Sequence, residues 1–491
     1  MSRTATALRS AIWVMVESWL VRLVSLVAFL ALARLLTPAD FGVMALAGIY
    51  LTFCTFIIDQ GFGTALVQRA NLEHEHLDAA FWIQLAIGVA IAGITVGAAG
   101  WVAAFFAEPR LTEVLQVLAL FPAITALTLV QQAQLKRQFE FRTLAVRHIV
   151  SAVAGAVIGI ALAVLGYGVW SLVAQMLGGA VVGLIVLWRA SSWRPRFAFS
   201  ARHFRDLVGF GTSVFIHELV WTLAYQIDRL LLGRFAGAGP VGVYTVAQRL
   251  VSIIGEVLVV GLQGIVVPVF ARVQHDREAL SRGLFRAYRL IAFVAFPAFA
   301  GLTLVAPELV PIILGAKWLE AIPVVQASAL PTLLYALGFF LSNVLTAIGR
   351  PGLRLFLTTI QTIASAVFIL AVIPWGPAAV ALAMGAAALL AYIINVIMLQ
   401  RLIGLDLLAY HRQAWPAAAA TGLMAAAIWA LGPVLEGYPM LLVLTLKIAA
   451  GGVAYLLGTV LLARSQWREI LELARSLKGQ PGGLPQATAE S

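Results

Sequence analysis

The chain has 491 residues, 62% of them hydrophobic and 11% charged, with 33 Lys and Arg against 22 Asp and Glu. Soluble proteins run at roughly 45–50% apolar and about 25% charged, and a single core stops growing near about 250–300 residues, so the apolar excess has to face lipid. A cytosolic enzyme, a secreted disulfide scaffold and a disordered chain are excluded; the lone Cys54 rules out an intramolecular disulfide and a thiolate metal site.

The apolar stretches run without alternation for about 20 residues at a time, the pattern of spanning helices rather than of a β-barrel. In chain order the predicted spans cover 11–34, 41–66, 79–106, 112–134, 145–165, 168–188, 207–233, 241–271, 287–306, 322–347, 354–373, 377–399, 414–433 and 440–462. The first follows a short polar start carrying Arg3 and Arg9, and no small-x-small cleavage site follows it, so it reads as a retained span. Breaker clusters separate the spans, among them Thr37-Pro38-Ala39-Asp40, Gly237-Ala238-Gly239-Pro240, Gly349-Arg350-Pro351-Gly352 and Trp375-Gly376-Pro377.

Basic residues orient the spans. With a cytoplasmic N-terminus, that end and every second connection hold most of the 33 Lys and Arg, including Lys136, Arg137, Arg142 and Arg147, then Arg189 to Arg205, then Arg272 to Arg289. The opposite side keeps Arg34, Arg110, Arg234 and Lys317. Both termini are predicted to be cytoplasmic. The excess positive charge is then a topology signal with some attraction to anionic lipid, and gives no reason to invoke nucleic acid. The outward connections are short and sparsely charged.

An internal repeat is visible. Arg34-Leu-Leu-Thr-Pro-Ala-Asp-Phe-Gly42-Val43 returns two hundred positions later as Arg234-Phe-Ala-Gly-Ala-Gly-Pro-Val-Gly242-Val243, and Leu30/Leu230 and Leu32/Leu232 keep the same offset. Six spans separate the copies, so both halves have the same orientation, the parallel repeat of a two-lobed transporter. The predicted fold is an all-α polytopic membrane protein of about fourteen transmembrane helices. Two pseudo-symmetric six-helix lobes, residues 1–190 and 207–400, flank a cytoplasmic linker at 191–206; the last two spans occupy 401–465 and a cytoplasmic tail 466–491.

Ionisable groups inside spans cost a few kcal/mol each on insertion scales and mark a pathway by default. The first span holds Glu17 and Arg22, five apart and so not a local i,i+4 pair. Asp59 lies near the inner end of the second. In the seventh, Glu218, Tyr225 and Arg229 share one face while His217 and Asp228 form a neighbouring stripe. Arg249, Glu256 and Gln263 repeat every seven residues in the eighth; the tenth adds Asn343, and the eleventh Thr358, Thr362 and Ser365. Bland readings stand beside these. Arg34, Arg234 and Asp40 suit snorkelling and capping at helix ends, Glu218 with Arg229 and Glu256 with Arg249 suit packing salt bridges, and Lys447 suits snorkelling. Arg22 is the hardest to explain away.

Other motifs carry less. Glu73-His74-Glu75-His76-Leu77-Asp78 has histidines two apart, which do not share a helix face, so no metal site is assigned. There is no Walker A sequence. Ile470, Leu471, Ala474 and Leu477 follow Trp467 at helical spacing, as in an interfacial amphipathic helix, and Pro481 to Ser491 reads as disordered.

Several stretches together resemble bacterial Wzx-type polysaccharide flippases of the colanic-acid-exporter branch. They are Leu32-Ala-Arg34-Leu-Leu-Thr-Pro-Ala-Asp40-Phe-Gly42, Asp59-Gln-Gly-Phe-Gly-Thr-Ala-Leu-Val-Gln68-Arg69, Leu77-Asp-Ala-Ala-Phe-Trp82, Gly166-Tyr-Gly-Val-Trp170, Asp228-Arg-Leu-Leu-Leu-Gly-Arg234-Phe and Tyr244-Thr-Val-Ala-Gln-Arg249-Leu. The resemblance covers about residues 10–400. It implies a member of the multidrug/oligosaccharidyl-lipid/polysaccharide exporter superfamily, in the bacterial inner membrane, flipping an undecaprenyl-diphosphate-linked oligosaccharide by alternating access for lipopolysaccharide or exopolysaccharide biosynthesis. Membrane lipid, a polysaccharide polymerase and chain-length machinery are the implied partners. No cofactor or catalytic residue is implied; a coupling cation, Na+ or H+, is. Related lipid II flippases hold the diphosphate in a cationic cavity, and Arg22, Arg229 and Arg249 are the candidates here on charge chemistry alone. Glu17, Asp59, Glu218, Asp228 and Glu256 are the candidates for ion coupling or charge balance. Rival readings are a cation/drug antiporter of the same superfamily and a membrane-embedded polymerase or glycosyltransferase, the latter disfavoured by the short outer connections.

Overall fold

The structure, a computed structural model, describes residues 3–59, 66–67, 73–197, 212–272 and 276–462. The side chains of Asp59, His217, Glu218 and Gln263, the connection around Arg69, and the tail with Trp467 and Pro481 to Ser491 lie outside the described residues.

Its elements are helices: α1 (Arg3–Leu35), α2 (Pro38–Asp59), α3 (His74–Phe106), α4 (Arg110–Leu118), α5 (Leu120–Arg137), α6 (Phe141–Val164), α7 (Val169–Ala190), α8 (Thr212–Ala236), α9 (Ala238–Arg272), α10 (Arg277–Leu314), α11 (Ala321–Ala347), α12 (Pro351–Val372), α13 (Pro377–Ile403), α14 (Leu407–Arg412), α15 (Trp415–Leu431) and α16 (Met440–Leu462). Twelve stretches among the described residues are long and apolar enough to cross a bilayer, with α4 and α5 together making one, Arg110–Arg137. Helices α8 and α9, of 25 and 35 residues, are also of spanning length. The protein is thus a multi-pass membrane protein, all-helical with fourteen long helical stretches among the described residues. Trp101 is 83% and Trp429 77% exposed, and Leu165, Val164 and Leu461 are exposed as well. Such bare apolar surface is tolerable only against lipid.

Helix starts follow local chemistry. Thr37 caps α2: its backbone N–H donates to Asp40 Oδ2 at 3.0 Å and its hydroxyl to the same oxygen at 2.6 Å, while the Asp40 N–H donates back to Thr37 Oγ1 at 3.3 Å. That reciprocal cap with Pro38 at the first helical position stops α1 from running on into α2.

The chain divides into two compact units. The first comprises Met1–Arg249, Ile313–Val324 and Thr358–Ala387, the second Leu250–Ile312, Val325–Leu357 and Ala388–Ser491. In the first, α6 and α7 pack through facing small residues: Gly155 lies against the Gln175 carbonyl, Gly159 against the Gln175 side chain and Gly179 against the Ser151 carbonyl. Both helices carry Gly-x-x-x-Gly, which lets backbones approach without side chains between them. The two copies of the repeat also meet in this unit. A Cβ on Gly42 would overlap the Ala238 carbonyl, and one on Gly242 would overlap the Pro38 carbonyl. Gly42 with Ala238 and Gly242 with Pro38 are the same contact written twice at the repeat offset, the signature of a local two-fold axis.

In the second unit the hairpin of α15 and α16 closes on Gly451 against Ile428 and Gly458 against Ala420. It is tied to α10 by Tyr455, whose hydroxyl donates to the Phe293 carbonyl at 2.5 Å, and by Lys447, whose ammonium sits 2.6 Å from Glu308 Oε1. The expectation that Lys447 snorkels is therefore corrected: both side chains of this pair are largely buried, and a partner within reach outweighs extension to the interface.

Candidate functional site

Polar side chains of the first unit gather in two clusters, one from each copy of the repeat. The first is built on α8 and the start of α9. Asp228 is 6% exposed and Tyr244 fully buried. The Tyr244 hydroxyl donates to Asp228 Oδ2 at 2.7 Å and accepts from Gln248 Nε2 at 2.9 Å, while Asp228 Oδ1 accepts the Arg229 backbone N–H at 2.8 Å. The Arg229 guanidinium turns away from that carboxylate to Gln226 Oε1 at 3.1 Å, and Gln226 Nε2 donates onward to Thr52 Oγ1 of α2 at 3.3 Å. Arg229 Nε is buried with no hydrogen-bond partner. Asp228 is thereby held by neutral donors, and adjacent Arg229 keeps most of its donor capacity for something else.

The second cluster joins α1, α6 and α7. Glu17 Oε1 meets His148 Nδ1 in a short contact. Arg147 exerts its charge on Glu17, while its Nε, like the Ser151 hydroxyl, is buried without a hydrogen-bond partner. Farther along the same helices lies a cavity of about 300 Å³ lined by Ser25, Met44, Ser151, Leu172 and Gln175 among others. Gly183 of α7 makes room for Ser151 and Arg147, since a Cβ there would overlap Ser151 Oγ and come within 3.2 Å of Arg147 Nε. Arg22, one turn before Ser25 on α1, is half-buried and makes no hydrogen bond or ion pair among the described residues.

The structure thus brings Glu17 into a pair, places Asp228 and Arg229 side by side, and gives Arg22 no partner among the described residues. Arg249 and Glu256 are half-buried, two turns apart on α9. The side chains of Asp59 and Glu218 lie outside the described residues. The polar stripes farther along turn inward on their own helices: Asn343 Nδ2 donates to the Phe339 carbonyl and Thr362 Oγ1 to the Thr358 carbonyl. Sequence reading missed His148, Tyr244 and Gln226. It also assigned Arg147 to a cytoplasmic connection, whereas α6 begins at Phe141 and carries Arg147 two turns inside. The signal was the Arg147-His148 dipeptide at the rim of the fifth span.

At the repeat junctions the ionisable groups serve structure. Arg34 Nε donates to the Ile313 carbonyl, Lys317 to the Arg34 carbonyl, and Trp318 Nε1 to the Ala33 carbonyl. Burial pulls the Lys317 ammonium below its ordinary range, against the opposing pull of Asp40. Arg234 lies 5.4 Å from the Phe105 ring centroid. His74 pairs with Asp78, which accepts the Arg196 backbone N–H on its other oxygen, while His76 Nδ1 accepts from Glu73 N–H. These histidines close the start of α3 and pin the beginning of the linker.

Comparison with known proteins places this arrangement. The succinoglycan biosynthesis transport protein ExoT of Rhizobium meliloti (strain 1021) is 32% identical over 300 residues, covering 61% of this chain and 60% of that protein, so the match spans less than two thirds of its length. The teichuronic acid biosynthesis protein TuaB of Bacillus subtilis (strain 168) is 27% identical over 364 residues, 72% of this chain and 74% of that one. The lipopolysaccharide biosynthesis protein WzxC of Escherichia coli (strain K12) is 25% identical over 416 residues, 81% of each. Among solved structures, the lipid II flippase MurJ in an inward closed conformation superposes with a TM-score of 0.77 at 14% identity, covering 92% of this chain and 99% of that chain. An inward-facing multidrug resistance MATE family transporter of the MOP superfamily gives 0.63 at 18%, covering 78% and 94%. These two share the fold. The family described as polysaccharide biosynthesis protein matches residues 31–323, more than half the chain, and the chain belongs to that family.

Proposed function

We propose that this protein carries an undecaprenyl-diphosphate-linked oligosaccharide repeat unit from the cytoplasmic to the periplasmic leaflet of the bacterial inner membrane, by alternating access, for exopolysaccharide or lipopolysaccharide assembly. It acts as a transporter and not as an enzyme, with both termini cytoplasmic. The observation that carries this reading is cationic: among the described residues of the spanning helices, Arg22 has no hydrogen-bond or ion-pair partner and Arg229 has a buried Nε to spare. An uncompensated guanidinium in a span costs at least ~2.5–3.5 kcal/mol on insertion scales, and a diphosphate is the ligand whose transfer would offset it. Arginine stays charged and offers two parallel donors to each phosphate. Arg249, on the helix that supplies Tyr244, is the third arginine assigned to the diphosphate. The names of the relatives support the substrate class: one is a succinoglycan transport protein and one a lipopolysaccharide biosynthesis protein.

Glu17, Asp59, Glu218, Asp228 and Glu256 keep the unloaded protein tolerably neutral and supply the groups for a coupling cation, Na+ or H+. A polymerase and chain-length machinery would take the product on the far side. The test is export in cells carrying Arg22→Ala or Arg249→Ala at matched membrane levels. Lost surface polymer with lipid-linked repeat units accumulating is expected; normal polymer in both variants would overturn the reading.

A further inference from the structure

The cavity of the first unit has no part in holding a diphosphate, and its walls are neutral. Ser25 of α1, Met44 of α2, Ala152 and Gly155 of α6, and Gln175 and Met176 of α7 border it. Ser25 stands ten residues before Leu35, about 15 Å along α1, half of the roughly 30 Å of hydrocarbon that a span crosses. The cavity therefore lies at the middle of the membrane. One end is closed: Leu32, Leu36, Ala163 and Leu172 pack there with Phe41, Met44 and Ile160. Toward the other end, Arg22 sits three residues from Ser25, a spacing that shares a helix face. The Glu17–His148 contact and Arg147 lie farther that way on α1 and α6.

Two polar groups of the wall are unused. The Gln175 carboxamide and the Ser25 hydroxyl make no hydrogen bond among the described residues. Gln175 is held by its stem instead: a Cβ on Gly159 would come 2.8 Å from Gln175 Cβ and 3.2 Å from its Cγ, so the crossing of α6 and α7 fixes where the amide stands. The rest of the wall is Met thioether, Ala methyl and Gly backbone, which suit the carbon face of a ring and adapt to its shape. An alkyl chain in this space would bury the amide and the hydroxyl without partners, a penalty that favours an occupant bearing hydroxyls. At about 300 Å³ the cavity is at the small end of ligand pockets, which run from about 300 to 1,000 Å³. That is room for one sugar ring and not for an oligosaccharide.

We propose that this cavity is the subsite for the sugar joined directly to the diphosphate, and that Gln175 and Ser25 read its hydroxyls; the proposal rests on the lipid-flipping reading above. With the diphosphate on Arg22, the ring bonded to it falls within one helical turn of Ser25. Gln175 offers one acceptor oxygen and two donors, and Ser25 a hydroxyl that both donates and accepts. A ring whose hydroxyl is inverted at the position they meet leaves them buried and unpaired, which is how a polar site discriminates. The later sugars of the repeat unit stay outside this cavity and are not selected by it.

The experiment uses the full chain in detergent and measures its affinity for undecaprenyl diphosphate, bare or carrying one glucose, galactose or N-acetylglucosamine. Wild type should bind one of the sugar-bearing lipids about tenfold more tightly than the bare lipid, a difference of about 1.4 kcal/mol. Gln175→Leu, and Ala152→Leu, which fills the space, should each abolish that preference. Met176→Leu, which conserves volume, should keep it, separating loss of the polar reader from disturbance of the wall. Wild type without a preference, or a preference kept in Gln175→Leu and Ala152→Leu, would overturn the proposal and leave the lipid-flipping reading standing. Equal weakening of bare and sugar-bearing lipid in those two variants would put the polyprenyl chain in the cavity and overturn it as well. Binding of neither lipid by wild type would remove the lipid-flipping reading, and the sugar subsite with it.

Discussion

At Asp228 a buried carboxylate is held by a tyrosine hydroxyl and a backbone N–H rather than by the arginine next to it in sequence. Hydrogen bonds to a charged group contribute about 1.5–3 kcal/mol, so Tyr244→Phe is expected to lower stability by that amount. The unfolding midpoint in detergent would read it; an unchanged midpoint would mean that Asp228 is not carried by Tyr244. The residue scale is also where the sequence was least legible. Glu17 and His148 are 131 positions apart, and no periodicity along one helix reveals a partner on another. Arg147 was hidden by a rule that works: basic residues collect at cytoplasmic helix ends, and its place at the very start of the span predicted from Ala145 let it be counted with the connection before it. Arg22 was legible because its five-residue spacing from Glu17 already denied it a local pair.

Between elements, close approach is governed by glycine and by a few buried polar ties. Gly42 and Gly242 allow α2 and α9 to cross backbone to backbone, and the overlap a methyl group would create there is with carbonyls, which cannot rotate aside. Overpacking costs typically about 1–3 kcal/mol and sometimes more, so Gly42→Ala or Gly242→Ala should lower the unfolding midpoint by a comparable amount each. By the two-fold relation the two should behave alike, and one tolerated while the other is not would argue against the symmetric crossing. The tie between α10 and α16 makes a different prediction. Glu308→Ala strands Lys447 in a buried place and should cost about 3–5 kcal/mol, whereas Glu308→Leu with Lys447→Met should be far milder. Thermal unfolding of both variants decides it; equal losses would mean that the pair's charges are not what matters. The spans themselves were readable, because runs of about 20 apolar residues are imposed by bilayer thickness. The tie was not, since Lys447 and Glu308 each look like an ordinary residue near a helix end.

For the whole molecule, composition settled the class and the repeat anticipated the symmetric contact, while function emerged only from what the helices bring together. Fourteen long helical stretches among the described residues, a family of polysaccharide biosynthesis proteins and an arginine with a buried donor to spare support the proposed account, in which a lipid-linked, diphosphate-bearing oligosaccharide crosses the membrane through this protein. The chemistry of the sugar depends on surfaces that charge alone does not specify, so the decisive measurement is one that does not presuppose it. In cells lacking the protein, lipid-linked intermediates should be extracted and assigned to a leaflet by their accessibility to an external glycosidase or periodate, with surface polymer measured in parallel. The account predicts polymer lost and complete repeat units held on the cytoplasmic leaflet. Repeat units on the periplasmic leaflet, or an unchanged surface polymer, would contradict it.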